Sequence, residues 1–127
     1  MATFNPYAQY ADVTFGSQDP GKLVVTAYDG VIRGLKGAIR AIDENDYESR
    51  AKSFDLALGL VGELRKALDH TQGGEFATKL ESLYAFFSRE LLMANATSDS
   101  ARLKPVLEQV KVLRDAWEEA RKNGIEA

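Results

Sequence analysis

From residue 20 onward, apolar side chains return at alternating spacings of three and four, a pattern that excludes most folds. Val24, Tyr28, Val31, Leu35, Ala38 and Ile42 follow it, as do Phe54, Ala57, Val61, Leu64 and Leu68. Leu80, Tyr84, Phe87 and Leu91 repeat it between Ala77 and Ala94, and Leu103, Val106, Val110, Leu113 and Trp117 close the series. A strand would need alternation by two, so four such stripes predict four core-facing helices over 20–42, 51–68, 77–94 and 103–117. Helices of about 20 residues are roughly 30 Å long. Matched lengths and short links favour antiparallel packing. The fold class is therefore all-α: an antiparallel four-helix bundle over 19–127, preceded by an irregular or short-helical arm over 1–18.

The punctuation agrees with this division. Asp19-Pro20 reads as an N-cap followed by proline at the first helical position. Asp43-Glu44-Asn45-Asp46 is a polar break, in which Asn45 and Glu48 resemble a capping box. Gly73-Gly74 is expected to separate the second and third helices, with Glu75 at the positive end of the third helix dipole. Thr97-Ser98-Asp99-Ser100 opens the fourth, and Asn123-Gly124 is a stop. Pro105 either bends the first turns of that helix, if it starts at Ser100, or is harmless if it starts near Lys104. The arm lacks a helical period but carries Phe4, Tyr7, Tyr10, Val13 and Phe15, which predicts that it packs on the bundle.

Each helix also carries apolar residues beside its main stripe. Val25, Ile32 and Ile39 recur every seven residues on the first. Leu56 and Leu60 lie off the main stripe on the second, Phe76, Leu83 and Phe86 widen it on the third, and Leu107 and Val112 on the fourth. A simple bundle needs about three apolar positions in seven. The surplus either widens the core or is covered by the arm, another copy or a client segment laid into a groove. Gly30, Gly34 and Gly37 each cost about 0.5–1 kcal/mol against alanine in a helix, so either another backbone approaches closely or the helix is locally soft.

Composition narrows the chemistry. The 127 residues contain no cysteine and one histidine, which removes disulfide scaffolds, thiolate metal sites, cysteine nucleophiles and multi-histidine clusters. A net charge of −3 and a pI near 5.2 argue against nucleic-acid binding. No stretch approaches the roughly 20 apolar residues that span a bilayer, and the amino terminus does not read as a signal peptide, so a cytoplasmic protein without membrane insertion is expected. His70 beside Asp69 reads as a solvated cap near the end of the second helix, and Gly73-Gly74-Glu75 as an interhelical turn without the lysine of a phosphate loop. Asp29 stands amid apolar residues, where it is either structural or takes a client's N–H or arginine from a groove rim. No coupled acid–base pair or cofactor motif is visible, so neither an enzyme nor a cofactor is expected.

Several strings resemble the FliS family of flagellin-specific export chaperones. They are Asn5-Pro6-Tyr7-x-x-Tyr10, Pro20-x-x-Leu23 leading to Tyr28-Asp29-Gly30, and Gly73-Gly74-Glu75-x-Ala77-x-x-Leu80-x-x-Leu83-Tyr84. Leu92-x-Ala94-Asn95-x-x-x-Asp99 and Leu113-Arg114-x-Ala116-Trp117 complete the set. The resemblance implies a cytoplasmic chaperone that binds the disordered carboxy-terminal region of flagellin, prevents early polymerisation and delivers it to the export gate. A regulator of flagellar gene expression is a further candidate partner. The implied client-binding residues are Tyr7 and Tyr10 in the arm and Leu23, Val25, Tyr28, Asp29, Ile32 and Ile39 on the first helix, with Val25 and Ile32 as an apolar floor. The alternative function is a helical adaptor or structural protein whose spare stripes mediate homo-oligomerisation.

Overall fold

Helix α1 (Pro20–Glu44) is the longest uninterrupted helix among residues 20–123, which are those that the computed structural model describes. The arm over 1–18, with Tyr7 and Tyr10, and Gly124 lie outside them. Helices α2 (Tyr47–Lys66), α3 (His70–Thr97) and α4 (Leu103–Lys122) follow, with a 3-10 turn at Ser100–Arg102 before α4. The described chain is a bundle of four helices, as the periodicity predicts. α1 packs closely on both α2 and α4, and α3 on α2, whereas α3 and α4 touch more sparsely.

The end of α1 shows why short links suffice. Asn45 adopts φ 57°, and the N–H groups of Asn45 and Asp46 donate to the carbonyls of Ile42 and Ala41 at 3.3 and 2.9 Å. That is the Schellman closure, with asparagine in the left-handed position usually held by glycine. Asn45 therefore terminates α1 and does not cap α2. The capping-box expectation is corrected: Asp46 is the N-cap, its carboxylate accepting from the Ser49 N–H at 3.1 Å.

The α2–α3 boundary also differs from the expectation. α2 ends at Lys66, and Asp69 caps the next helix by accepting from the N–H groups of Thr71 and Gln72 at 3.0 and 3.1 Å. His70 is thus the first residue of α3, with its Nε2 3.8 Å from Glu81. Gly73-Gly74 lies inside α3 and does not separate it from α2. Gly74 has φ 55° and ψ −129°, so a first turn is set at an angle to the main helix, in a backbone state that side chains with a Cβ avoid. At the far end, Ser98 closes α3 with φ 53°, and the Asp99 N–H donates to the Ala94 carbonyl at 3.0 Å. Pro105 is the third residue of α4, where helix N–H groups have no intrahelical acceptor. The later of the two predicted starts is the one observed.

The close approach signalled by glycine lies within the bundle. A Cβ on Gly34 would stand 2.9 Å from the Ala57 side chain and from the backbone of Ser53 and Ala57. Glycine there lets α1 and α2 touch backbone to backbone. The interior contains Val24, Leu35, Phe54, Leu64, Phe87, Leu91, Leu103 and Val110, all nearly inaccessible. Burying each large side chain contributes about 1.5–3 kcal/mol before chain entropy is set against it.

Candidate docking groove

Three polar aromatic groups organise the middle of the core. The Tyr28 hydroxyl is hydrogen-bonded to the Tyr84 hydroxyl, and Trp117 Nε1 donates to the Tyr28 oxygen at 3.2 Å. Tyr28 is 1% exposed and Tyr84 fully buried, so the ring expected to line a groove on the first helix is interior instead. Its hydroxyl is drawn inward because a buried phenol needs hydrogen-bond partners, and α3 and α4 supply them.

The other first-helix residues divide by burial. Val25 belongs to the core. Ile32 and Ile39 are partly buried against it, and Leu23 is intermediate. Asp29 reaches across the seam to Arg114, whose Nε donates to its Oδ1 at 2.8 Å. The carboxylate raises the Arg114 guanidinium further above its ordinary value. Both side chains keep access to water, so the pair is worth about 0.2–1 kcal/mol and mainly fixes how α4 lies on α1. A continuous apolar floor on α1 is therefore not present: Val25 and Tyr28 are buried, and Ile32 and Ile39 keep only part of their surface.

Apolar surface is left open between α3 and α4. An open recess of about 350 Å³ is lined there by Leu83, Glu108, Gln109, Val112 and Leu113. Val112 is 69% exposed and Phe76 39%, large values for apolar side chains. Phe76 lies seven residues before Leu83, hence on the same side of α3, and its ring meets Trp117 at 6.3 Å between centroids. Phe86 extends the strip, partly buried, with the Arg89 guanidinium 5.6 Å from its ring centre. The result is an apolar channel along a sparse helix–helix contact. Phe76, Leu83, Phe86 and Val112 were legible as surplus in the sequence; their convergence on one seam was not. Leu107, grouped with them there, is buried.

Polar ties hold the seam at one end. Arg102 Nη1 donates to both carboxylate oxygens of Glu90 at 3.2 Å. Arg50 Nε donates to Asn95 Oδ1 and its Nη1 to Ser98 Oγ, each at 3.0 Å, while the Ser100 hydroxyl donates to Asp43 at 2.6 Å. The turn between α3 and α4 is thus pinned to α1 and α2. A channel of this kind takes an amphipathic helix or an extended apolar segment laid along it. No described helix is long and apolar enough to cross a membrane.

The family described as "Flagellar protein FliS" matches residues 3–124. The chain is 29% identical over 120 residues to the flagellar secretion chaperone FliS of Bacillus subtilis, covering 94% of this chain and 89% of that protein. It is 32% identical over 117 residues to the flagellar secretion chaperone FliS of Campylobacter jejuni, covering 92% and 91% respectively. A third relative, FliSB of Pseudomonas aeruginosa, is 28% identical over 122 residues, with 93% and 97% covered.

Proposed function

The chain belongs to the FliS family of flagellar proteins, and from that premise we propose that it binds the disordered carboxy-terminal segment of flagellin in the cytoplasm. The α3–α4 channel receives an amphipathic stretch of that segment. Occupying the apolar stripe through which flagellin subunits would pair keeps them from polymerising, and the complex is delivered to the export gate. Membership of a secretion chaperone family implies binding work and no catalysis. The observation that carries the reading is the solvent-open apolar recess around Val112 and Leu83, on the seam where α3 and α4 touch sparsely.

Ordering a disordered tail costs conformational entropy, so affinity has to come from a long wrapped surface. Ile32 and Ile39, seven residues apart on one side of α1 and partly exposed, offer a second, narrower strip for a client that winds around the bundle. Leu23, nine residues before Ile32, lies on the opposite side of the helix and would meet only a client that reaches around it. Asp29 stands at the edge of that strip, while Tyr28 and Val25 support it from beneath. Tyr7 and Tyr10 of the arm, outside the described residues, add to the client's contacts. A regulator of flagellar gene expression would compete for the same surface.

The test is calorimetric titration of full-length flagellin against flagellin lacking its carboxy-terminal segment. Heat with the first and none with the second is expected; equal heats overturn the proposal. Sedimentation of the chain by itself addresses self-association. A dimer that flagellin does not dissociate would favour the oligomerisation reading over the chaperone one.

A further inference from the structure

The two rims of the channel carry opposite charge. On α3, Lys79 lies between Phe76 and Leu83 at helical spacings of three and four, and Arg89 follows Phe86 by three. Both are exposed cations on the outer edge of the apolar strip, with Glu75 the acid one turn before Lys79. On α4, Glu108 lines the recess itself, and Asp115 and Glu119 continue its ridge at three and seven residues from Val112. Lys111, which pairs with Glu108 at 3.4 Å, lies three residues before Arg114, the residue that meets Asp29 of α1.

We infer that this asymmetry fixes the direction in which a helical client runs along the channel, its acidic flank against α3 and its basic flank against α4. The inference rests on the channel reading given under Proposed function. A helix lying with its apolar stripe down can be turned end for end without lifting that stripe, but the turn exchanges its left and right flanks. An uncharged channel would accept both directions equally. Here one direction sets acid against Lys79 and Arg89 and base against Glu108 and Glu119, while the other sets like charges together. Exposed pairs are individually weak, so the preference comes from several acting together.

The experiment uses the full chain and a synthetic amphipathic peptide of about 18 residues, roughly five turns. The peptide has a leucine stripe, glutamates along one flank and lysines along the other. A nitroxide at either its amino or its carboxy end reports direction by quenching Trp117, the chain's one tryptophan, which stands at the Phe76 end of the channel. One labelled end is expected to quench about fivefold more than the other at low salt. Exchanging the peptide's flanks should move the quenching to the opposite end, and so should the variant carrying Lys79→Glu, Arg89→Glu, Glu108→Lys and Glu119→Lys. Equal quenching from both ends, abolished by Val112→Asp, overturns the directional inference and leaves the channel standing. Absence of binding by either peptide overturns the directional inference, and if flagellin's tail also fails to bind, the channel goes with it.

Discussion

Trp117 Nε1 donates to the Tyr28 hydroxyl at 3.2 Å, joining the last helix to the first through a group that also bonds Tyr84 on the third. Three helices are thus registered on one oxygen atom. Replacing Tyr28 by phenylalanine removes that oxygen while keeping the ring. The expected loss is about 1–3 kcal/mol of stability, read from urea denaturation. Tyr84→Phe should cost less, and the double variant should fall short of the sum because both remove one shared bond. Additive losses would show that the hydroxyls act separately.

Glycine to alanine should have opposite signs on adjacent helices. At Gly34 the new methyl meets Ala57 and the backbone of Ser53, so α1 and α2 must separate, at a cost of about 1–3 kcal/mol. At Gly59 on α2 nothing lies within 4 Å, and alanine should add about 0.4–1 kcal/mol. Thermal denaturation of the two single variants checks both.

Charge placed in the channel should separate binding from folding. Val112→Asp, at a 69% exposed position, should leave the melting temperature within a few degrees of the parent and lower flagellin affinity about tenfold or more. Ile32→Glu should instead destabilise the bundle by about 1–3 kcal/mol, because Ile32 packs partly against the core. Circular dichroism melts alongside calorimetry give both readings.

The N-cap of α2 predicts a pH dependence. Hydrogen bonds from Ser49, its backbone N–H first, and from Arg40 hold the Asp46 carboxyl below its ordinary value. A carboxyl depressed in the folded state contributes stability that is complete above its unfolded value of about 4 and disappears as pH falls through the lower folded one. Asp46→Ala should therefore be less stable than the parent near neutrality, and the two melting curves should converge on acidification. A gap that persists in acid would mean that the charge is not what the cap contributes.

The helices were legible because periodicity depends only on which residues face inward, and the main stripes of all four helices supply the interior. Link positions were less so. Asn45 and Asp46 are both good capping residues, and only the left-handed φ of Asn45 decides which one serves α2. Gly73-Gly74 marked a backbone break correctly, but Asp69 had already begun α3. The site was the least legible part. Val25 and Val112 look alike as surplus apolar residues, yet Val25 is buried and Val112 exposed. What separates them is the direction each faces: Val112 follows the fully buried Val110 by two residues, about 200° around α4. Gly34 brings α2 close to α1, and the Asp29–Arg114 pair sets α4 over α1, leaving the shortfall at α3. That sum involves all four helices and is written in no single stretch of sequence.

The polar ties around Ser98–Arg102 act as the spine of a book whose covers are α3 and α4. Leaves part first at the fore-edge, here the side where Gly74 angles the backbone and α4 runs out. Deuterium should accordingly enter the amides around Phe76 and Trp117 sooner than those around Leu91 and Leu103. A tail arriving at that margin would find the pages already loosened.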